Sequence, residues 1–314
     1  MTIDSVQYSD PAIHSPALLP DKRKLWMAAI KPPMYSVAIM PIALGTAVAY
    51  AKTQTLRWDI FGIFLVAAVL ILGWENLHND LFDSETGIDH NKHHSVVNLT
   101  GNKTLVFWLG SLFLVTGIAG IVAIAYIQQD PTILLLILLC CGLGYLYQGP
   151  PFRLGYQGLG EILCFFSFGP LAVSAAYYSQ AQSWSVTALL ASVILGCSTS
   201  LILLCSHFHQ VEDDLKAGKR SPIVRMGTLR GAQLLPWICG SLYALTVIGV
   251  AIGHFPIWTL MIFASLPSAL KLCRHVLANH DQPDAVKDCK FIAVALHFWS
   301  GLLLSLGFVL NFFL

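Results

Sequence analysis

The sequence predicts an all-α membrane protein, a polytopic bundle of about nine transmembrane helices. Three observations carry this expectation. Hydrophobic residues make up 56% of the 314-residue chain and charged residues 11%, and the mean hydropathy of +0.67 lies outside the range of ordinary soluble domains. The apolar residues gather into stretches of roughly 20, the number of helical residues that crosses a bilayer core. The charges gather between those stretches.

Taken in order, residues 1–24 read as a loosely ordered arm in which Pro11, Pro16 and Pro20 interrupt any regular element. The arm ends in Asp21-Lys22-Arg23-Lys24, and the apolar run that follows lacks a small-residue cleavage site, so no signal peptide is expected. Residues 25–314 are expected to form one domain. Its spans fall at 32–51, 59–78, 104–127, 131–148, 159–180, 186–207, 233–252, 255–275 and 289–314. Pro33, Pro41, Pro170 and Pro267 lie in or near them, which polytopic bundles tolerate because neighbouring helices satisfy the freed backbone groups. The eight cysteines lack paired spacing and read as small core residues rather than a disulfide or metal framework.

Lys and Arg set the orientation, since positive residues are retained on the cytoplasmic side. The arm, Lys31 and the loops after the second, fourth, sixth and eighth spans hold sixteen of the eighteen; Lys52 and Arg57 are the others. The N-terminus and the even-numbered loops are therefore expected to be cytoplasmic and the C-terminus to lie on the far side, where the loops are short and nearly uncharged. A net charge of +1 with no basic tail gives no sign of nucleic-acid binding.

Eight of the 17 acidic residues fall in two short stretches, 75–89 and 212–214, each at the end of an apolar segment. In the first, Asn76, Asn79, Asp80 and Asp83 are spaced by three and four, so they can share one face of a helix end; Glu85 and Asp89 follow. In the second, Glu212, Asp213 and Asp214 are consecutive. A single Asp at such a place is an ordinary polar cap. Two clusters of carboxylates and amide oxygens, without matching Cys or His, suit a hard divalent ion such as Mg²⁺, which is usually held by one or two carboxylates plus substrate phosphates.

Basic residues follow each cluster. Lys92, Lys103, Lys219, Arg220 and Arg225 are candidates for neutralising phosphate oxygens, and equally for fixing topology or anchoring lipid headgroups. His78, His207 and His209 beside the acids, and His90, His93 and His94 in the loop, suit a supporting role better than metal ligation. The acid-then-base order after the second and sixth spans hints at a pseudo-repeat. Between them, YLYQGPPFRLGYQGLGE holds a rigid turn at Gly149-Pro150-Pro151, with Arg153 as its one base and Tyr147, Tyr156 and Glu161 as polar groups near helix ends. Arg153 reads as a phosphate-capable cation or a turn anchor.

With two acidic motifs four spans apart, the chain resembles the UbiA superfamily of intramembrane aromatic prenyltransferases. NLHNDLFD (76–83), YQGPPFRLGYQGLGE (147–161) and GKRSPIVRMG (218–227) are most similar to its 1,4-dihydroxy-2-naphthoate prenyltransferases, and SETGIDHNKHHSVVNL and HFHQVEDDL look like the cyanobacterial and plastid branch, which transfers a phytyl chain. The resemblance spans nearly all the chain after residue 25. One departure is Gln210, which stands where many members carry an Asp four residues before the match to Asp214.

The resemblance implies a plasma- or thylakoid-membrane enzyme of phylloquinone or menaquinone synthesis. It would take phytyl or a related prenyl diphosphate, and Mg²⁺ bound by Asn76, Asp80 and Asp83 on one side and Asp214 with Asp213 or Glu212 on the other. The acceptor would be 1,4-dihydroxy-2-naphthoate, attacking at its carboxylated carbon with loss of CO₂. Arg153 and Tyr147 would orient the diphosphate or the acceptor, and membrane lipid would surround the whole. Homogentisate or chlorophyllide prenyl transfer is the alternative within the fold. A cation-coupled transporter is the alternative from another class, weakened because the charges gather at one face rather than near the midplane.

Overall fold

A computed structural model describes residues 22–86 and 95–310 of the chain. The arm up to residue 21, the loop residues Asp89, His90, Lys92, His93 and His94, and positions 311–314 of the last span lie outside the described residues. Every described element is helical, with no strand. A short α1 (Lys22–Ile30) leads into α2 (Ser36–Thr53), then α3 (Trp58–Thr86), a five-residue α4 (Val96–Thr100), α5 (Lys103–Gln128) and α6 (Thr132–Gln148). The next span is α7 (Gly160–Phe166) joined to α8 (Ala172–Ala181) by a wide π turn over Ser167–Leu171 that holds Pro170. Proline removes one backbone donor, and the widened turn absorbs the loss without ending the helix.

Next come α9 (Val186–Ser206), the short α10 (Val211–Lys216) and α11 (Pro222–Met226), and α12 (Thr228–Ala251). A 3₁₀ stretch at Ile257–Ser265 feeds α13 (Leu266–Asn279), and α14 (Pro283–Val286) precedes α15 (Cys289–Leu310). Eight helical stretches among the described residues are long and apolar enough to cross a membrane. The ninth, α6, has 17 residues, at the lower limit of about 17–25 for a crossing. The expected all-α polytopic membrane bundle is what the chain forms.

Its outer surface confirms the solvent. Val115 on α5 and Ile248 on α12 are 66% and 51% exposed, a placement that favours lipid over water. Trp58, Tyr126 and Trp184, all at the end where α5 finishes, are 71%, 77% and 62% exposed, as interfacial aromatic belts are. The centre of the bundle is α2, whose Val37, Leu44, Ala47 and Val48 are buried with α8, α9 and α15 around them. Gly45 lets α8 come close: a Cβ there would lie 2.5 Å from the Val173 carbonyl oxygen and 2.6 Å from Ala176 Cβ. Gly45→Val is expected to cost about 3 kcal/mol, the upper range for overpacking, and thermal melting of the purified protein in detergent checks it.

The largest departure from the sequence reading is at the end of the second span. Helix α3 runs on to Thr86 instead of stopping at 78, so the first acidic motif lies on the helix itself and projects past the apolar core. Its second counterpart is carried differently. The chain breaks at His207 after α9, and the acids begin the separate helix α10, whose N-cap is Gln210.

Candidate active site

The functional candidates meet at the end of the bundle where α3, α6 and α9 finish. Advancing about 100° per residue, α3 shares its groups among several neighbours. Asn76 and Asn79 border a cavity, and Asn76 Nδ2 is buried. Asp80 is 1% exposed; its Oδ2 accepts the Val96 backbone N–H at 2.8 Å, and its Oδ1 lies 3.9 Å from Lys31 Nζ. Ser95 caps the same short helix by accepting the Asn98 N–H at 3.1 Å. Asp83 Oδ1 accepts the Tyr156 hydroxyl at 3.0 Å. His78 turns the other way, into an aromatic cluster with Trp74, Phe82 and Phe107, and so supports packing rather than a carboxylate.

The same rotation separates the three consecutive acids of α10. Asp214 is completely buried, with Lys219 Nζ 3.4 Å from Oδ1 and His207 Nδ1 3.2 Å from Oδ2. The other ring nitrogen of His207 lies 3.5 Å from Glu161 Oε1. Asp213 is half-buried. Glu212 points outward, its side chain 82% exposed and 3.8 Å from Lys216. Gln210 works through its backbone, its carbonyl accepting the Asp214 N–H at 2.8 Å.

Tyr156 joins the two halves. Its hydroxyl bonds Asp83 and lies 2.7 Å from Thr86 Oγ1, while Lys219 Nζ stands 5.8 Å from its ring centroid. Sequence reasoning saw Tyr156 only as a polar group, because nothing local indicates that its loop folds over the acidic motif. Burial, and then the Asp83 carboxylate, push its hydroxyl well above the usual range, so it stays a donor. Burial also lowers His207 against the opposing contact with Asp214, which favours a neutral ring. Burial alone would raise Asp214, but His207 and Lys219 outweigh it and hold the carboxyl below its ordinary value.

The remaining bases have distinct placements. Arg153 pairs with Glu85 at 3.3 Å, tying the loop to α3. Lys103 reaches the Ser84 carbonyl at 3.5 Å. The Arg225 guanidinium donates to the Gln157 carbonyl and, at 3.0 Å, to the Arg220 carbonyl, so it staples two loops together. The exposed Arg220 donates its backbone N–H to the Tyr156 carbonyl at 2.8 Å. Tyr147 lines the cavity, its ring so close to Gly155 and Gly160 that a Cβ at either would lie within 2.7 Å. Lys31, read in the sequence only for topology, stands beside Asp80.

The cavity, about 240 Å³, runs from Asn76 and Asn79 inward between α2, α3 and α6, past Phe64 and Ile137, and its walls are largely apolar. Its Asn76 and Asn79 end adjoins Asp80 and Asp83 along α3, a shape suited to an anionic head and a hydrocarbon tail. Among the described residues no three His, Cys, Asp or Glu side chains converge as a protein-only metal site. Both Asp214 carboxylate oxygens are buried, with only Lys219 and His207 close to them among the ion pairs of the described residues, and the donor set is oxygen-rich. These residues fit a hard divalent cation shared with a phosphate ligand.

Known proteins match this chain over most of its length. The UbiA prenyltransferase family model matches residues 38–305. The 2-carboxy-1,4-naphthoquinone phytyltransferase of Synechocystis sp. is 57% identical over 94% of this chain and 96% of its own. The chloroplastic 2-carboxy-1,4-naphthoquinone phytyltransferase of Arabidopsis thaliana is 39% identical over 96% of this chain and 81% of its own. A UbiA homolog from Archaeoglobus fulgidus bound to DMAPP and Mg²⁺ shares the fold, with a TM-score of 0.55 at 18% identity over 89% of this chain and 99% of that one.

Proposed function

The chain belongs to the UbiA prenyltransferase family and is a multi-pass aromatic prenyltransferase, and from that premise we propose that it transfers a phytyl group from its diphosphate to 1,4-dihydroxy-2-naphthoate with decarboxylation, in phylloquinone or menaquinone synthesis. The observation that carries this reading is the approach of the two acidic stretches, Asp83 through Tyr156 and Asp214 through Lys219, at the end of the bundle where Asn76 and Asn79 border an apolar cavity. The relatives in Synechocystis sp. and Arabidopsis thaliana support the phytyl donor and the naphthalene-type acceptor. The active end faces the cytoplasm, with the N-terminus on that side, in a plasma or thylakoid membrane; the distribution of Lys and Arg supports this orientation.

Asn76, Asp80 and Asp83 from α3 and Asp214, with Asp213, from α10 would hold Mg²⁺. When bound, the ion would neutralise charge on the diphosphate oxygens. The protein's own groups do the rest. Lys219 and Lys31, already drawn toward the carboxylates, present ammonium groups to the leaving diphosphate as the allylic C–O bond breaks and its electron pair passes to oxygen. Tyr156 keeps Asp83 oriented. The apolar walls exclude water, so the allylic carbon meets the ring rather than a hydroxyl. The carboxylated ring carbon forms the new C–C bond, and loss of CO₂ returns the electron pair of the C–CO₂⁻ bond to the ring. No protein base is required.

The test is mass spectrometry of the product formed by purified protein from 1,4-dihydroxy-2-naphthoate with phytyl or geranylgeranyl diphosphate. A phytylated, decarboxylated naphthohydroquinone, or the quinone that air oxidation makes from it, is expected; product from homogentisate alone would reassign the acceptor, and uptake into proteoliposomes with no covalent product would overturn the reading. Tyr156→Phe keeps the ring beneath Lys219 but removes the hydroxyl from Asp83. Turnover is expected to fall about tenfold, the effect of one hydrogen bond to a charged group, with a raised Mg²⁺ requirement in steady-state assays.

A further inference from the structure

One carboxyl at this end of the bundle has no part in the arrangement above. Glu75 lies on the side of α3 that faces α6, where its side chain lines the apolar cavity with Cys141, Gly144, Tyr147 and Cys164. Its carboxyl is seated directly on Gly144: a Cβ at that position would fall 2.5 Å from Oε2 and 3.3 Å from Oε1. Gln148 donates to the Glu75 backbone carbonyl at 3.0 Å and steadies this turn of α3. Among the described residues no hydrogen bond or ion pair reaches the carboxyl itself. A carboxyl left in apolar surroundings calls for a hydrogen-bond donor from whatever fills the cavity.

The chemistry of the candidate occupants narrows the choice. A prenyl diphosphate offers no donor along its tail, and its head is an anion that a carboxylate repels. A hydroxyaryl acceptor offers O–H groups on a flat ring, and in 1,4-dihydroxy-2-naphthoate the 4-hydroxyl is meta to the acceptor's own carboxylate, so it can reach Glu75 with the two charges held apart. Resting on the proposed function, we infer that Glu75 is the acceptor-binding residue: its carboxyl receives a ring hydroxyl of the aromatic acceptor and places the ring in the cavity against the allylic carbon. The O–H···O contact pushes electron density into the ring while the hydroxyl keeps its proton. The new C–C bond, the departing diphosphate and the released CO₂ balance without proton transfer to Glu75. Gly144 is part of the same device, since any side chain there displaces the carboxyl.

Steady-state kinetics of the full-length protein in detergent test this, comparing wild type with Glu75→Leu, Glu75→Gln and Gly144→Ala. Glu75→Leu is expected to raise KM for 1,4-dihydroxy-2-naphthoate about 10- to 100-fold, leaving KM for phytyl diphosphate unchanged. Glu75→Gln, which keeps one acceptor oxygen, should fall between, and Gly144→Ala should raise the acceptor KM as well. Inhibition by 2-naphthoate, which lacks the hydroxyls, should be equal in wild type and Glu75→Leu. An unchanged acceptor KM in Glu75→Leu, or an equal rise in both KM values, overturns the assignment. If wild type does not phytylate 1,4-dihydroxy-2-naphthoate, the proposed function fails instead, and the same comparison with the hydroxyaryl acid that it does accept decides the role of Glu75.

Discussion

Replacing Asp80 with alanine is expected to lower prenyl transfer on the order of a thousandfold, the scale seen when a preorganised charge-stabilising group is removed. Its carboxylate is 1% exposed and already has an ammonium, Lys31 Nζ, at 3.9 Å. Alanine would remove the Asp80 contact from that ammonium and the acceptor from the Val96 N–H, so part of the loss would be structural. Asp80→Asn separates the two contributions. The amide oxygen still accepts the Val96 N–H, which keeps α4 in place, but the negative charge needed by a cation is gone. The expected result is a variant that melts within a few degrees of wild type, turns over on the order of a hundredfold slower, and shows a raised Mg²⁺ requirement. Wild-type turnover from Asp80→Ala would remove the first acidic motif from the mechanism.

The spans were legible because bilayer thickness imposes a length on every crossing. Helix α5, expected over 104–127, forms over Lys103–Gln128, and α9, expected over 186–207, forms over Val186–Ser206. Their ends are marked by local chemistry: Asn102 accepts the Leu105 N–H at 2.9 Å and Ser185 the Ala188 N–H at 3.3 Å. The end of α3 was not legible, since polar residues outside the bilayer can continue a helix or leave it with equal ease. The site divides along the same line. Spacing alone allowed Asn76, Asp80 and Asp83 to share one face of α3, but which neighbour each one meets depends on packing, as does the direction in which each acid of 212–214 points, of which only Asp214 is fully buried. Tyr156 meets Asp83 across 73 positions of sequence, and Glu75 faces a helix that begins more than fifty residues later. Contacts of that range come from tertiary packing and leave no local pattern. Arg225 shows the reverse: its PIVRMG context looks like that of a phosphate ligand, yet its guanidinium holds two loop carbonyls.

Asp214→Ala should affect both stability and activity. Asp214 is completely buried, and the side chain of its partner Lys219 is 11% exposed. Removing one member of a buried pair costs about 3–5 kcal/mol, because the other charge is left uncompensated, and His207 would lose the contact that opposes its burial. Turnover is expected to be undetectable, an outcome that by itself would not tell misfolding from lost chemistry. Combining Asp214→Asn with Lys219→Met makes the distinction. Asparagine keeps the shape and can still meet His207, while methionine removes the stranded ammonium but retains much of the lysine's apolar stem. The double variant is expected to recover most of the melting temperature and none of the prenyl transfer, because it restores packing without restoring either the anion for the metal or the cation for the diphosphate. If turnover returns with stability, the Asp214–Lys219 pair is a structural clasp, and the second half of the site must be sought elsewhere along α10 and the 218–225 loop.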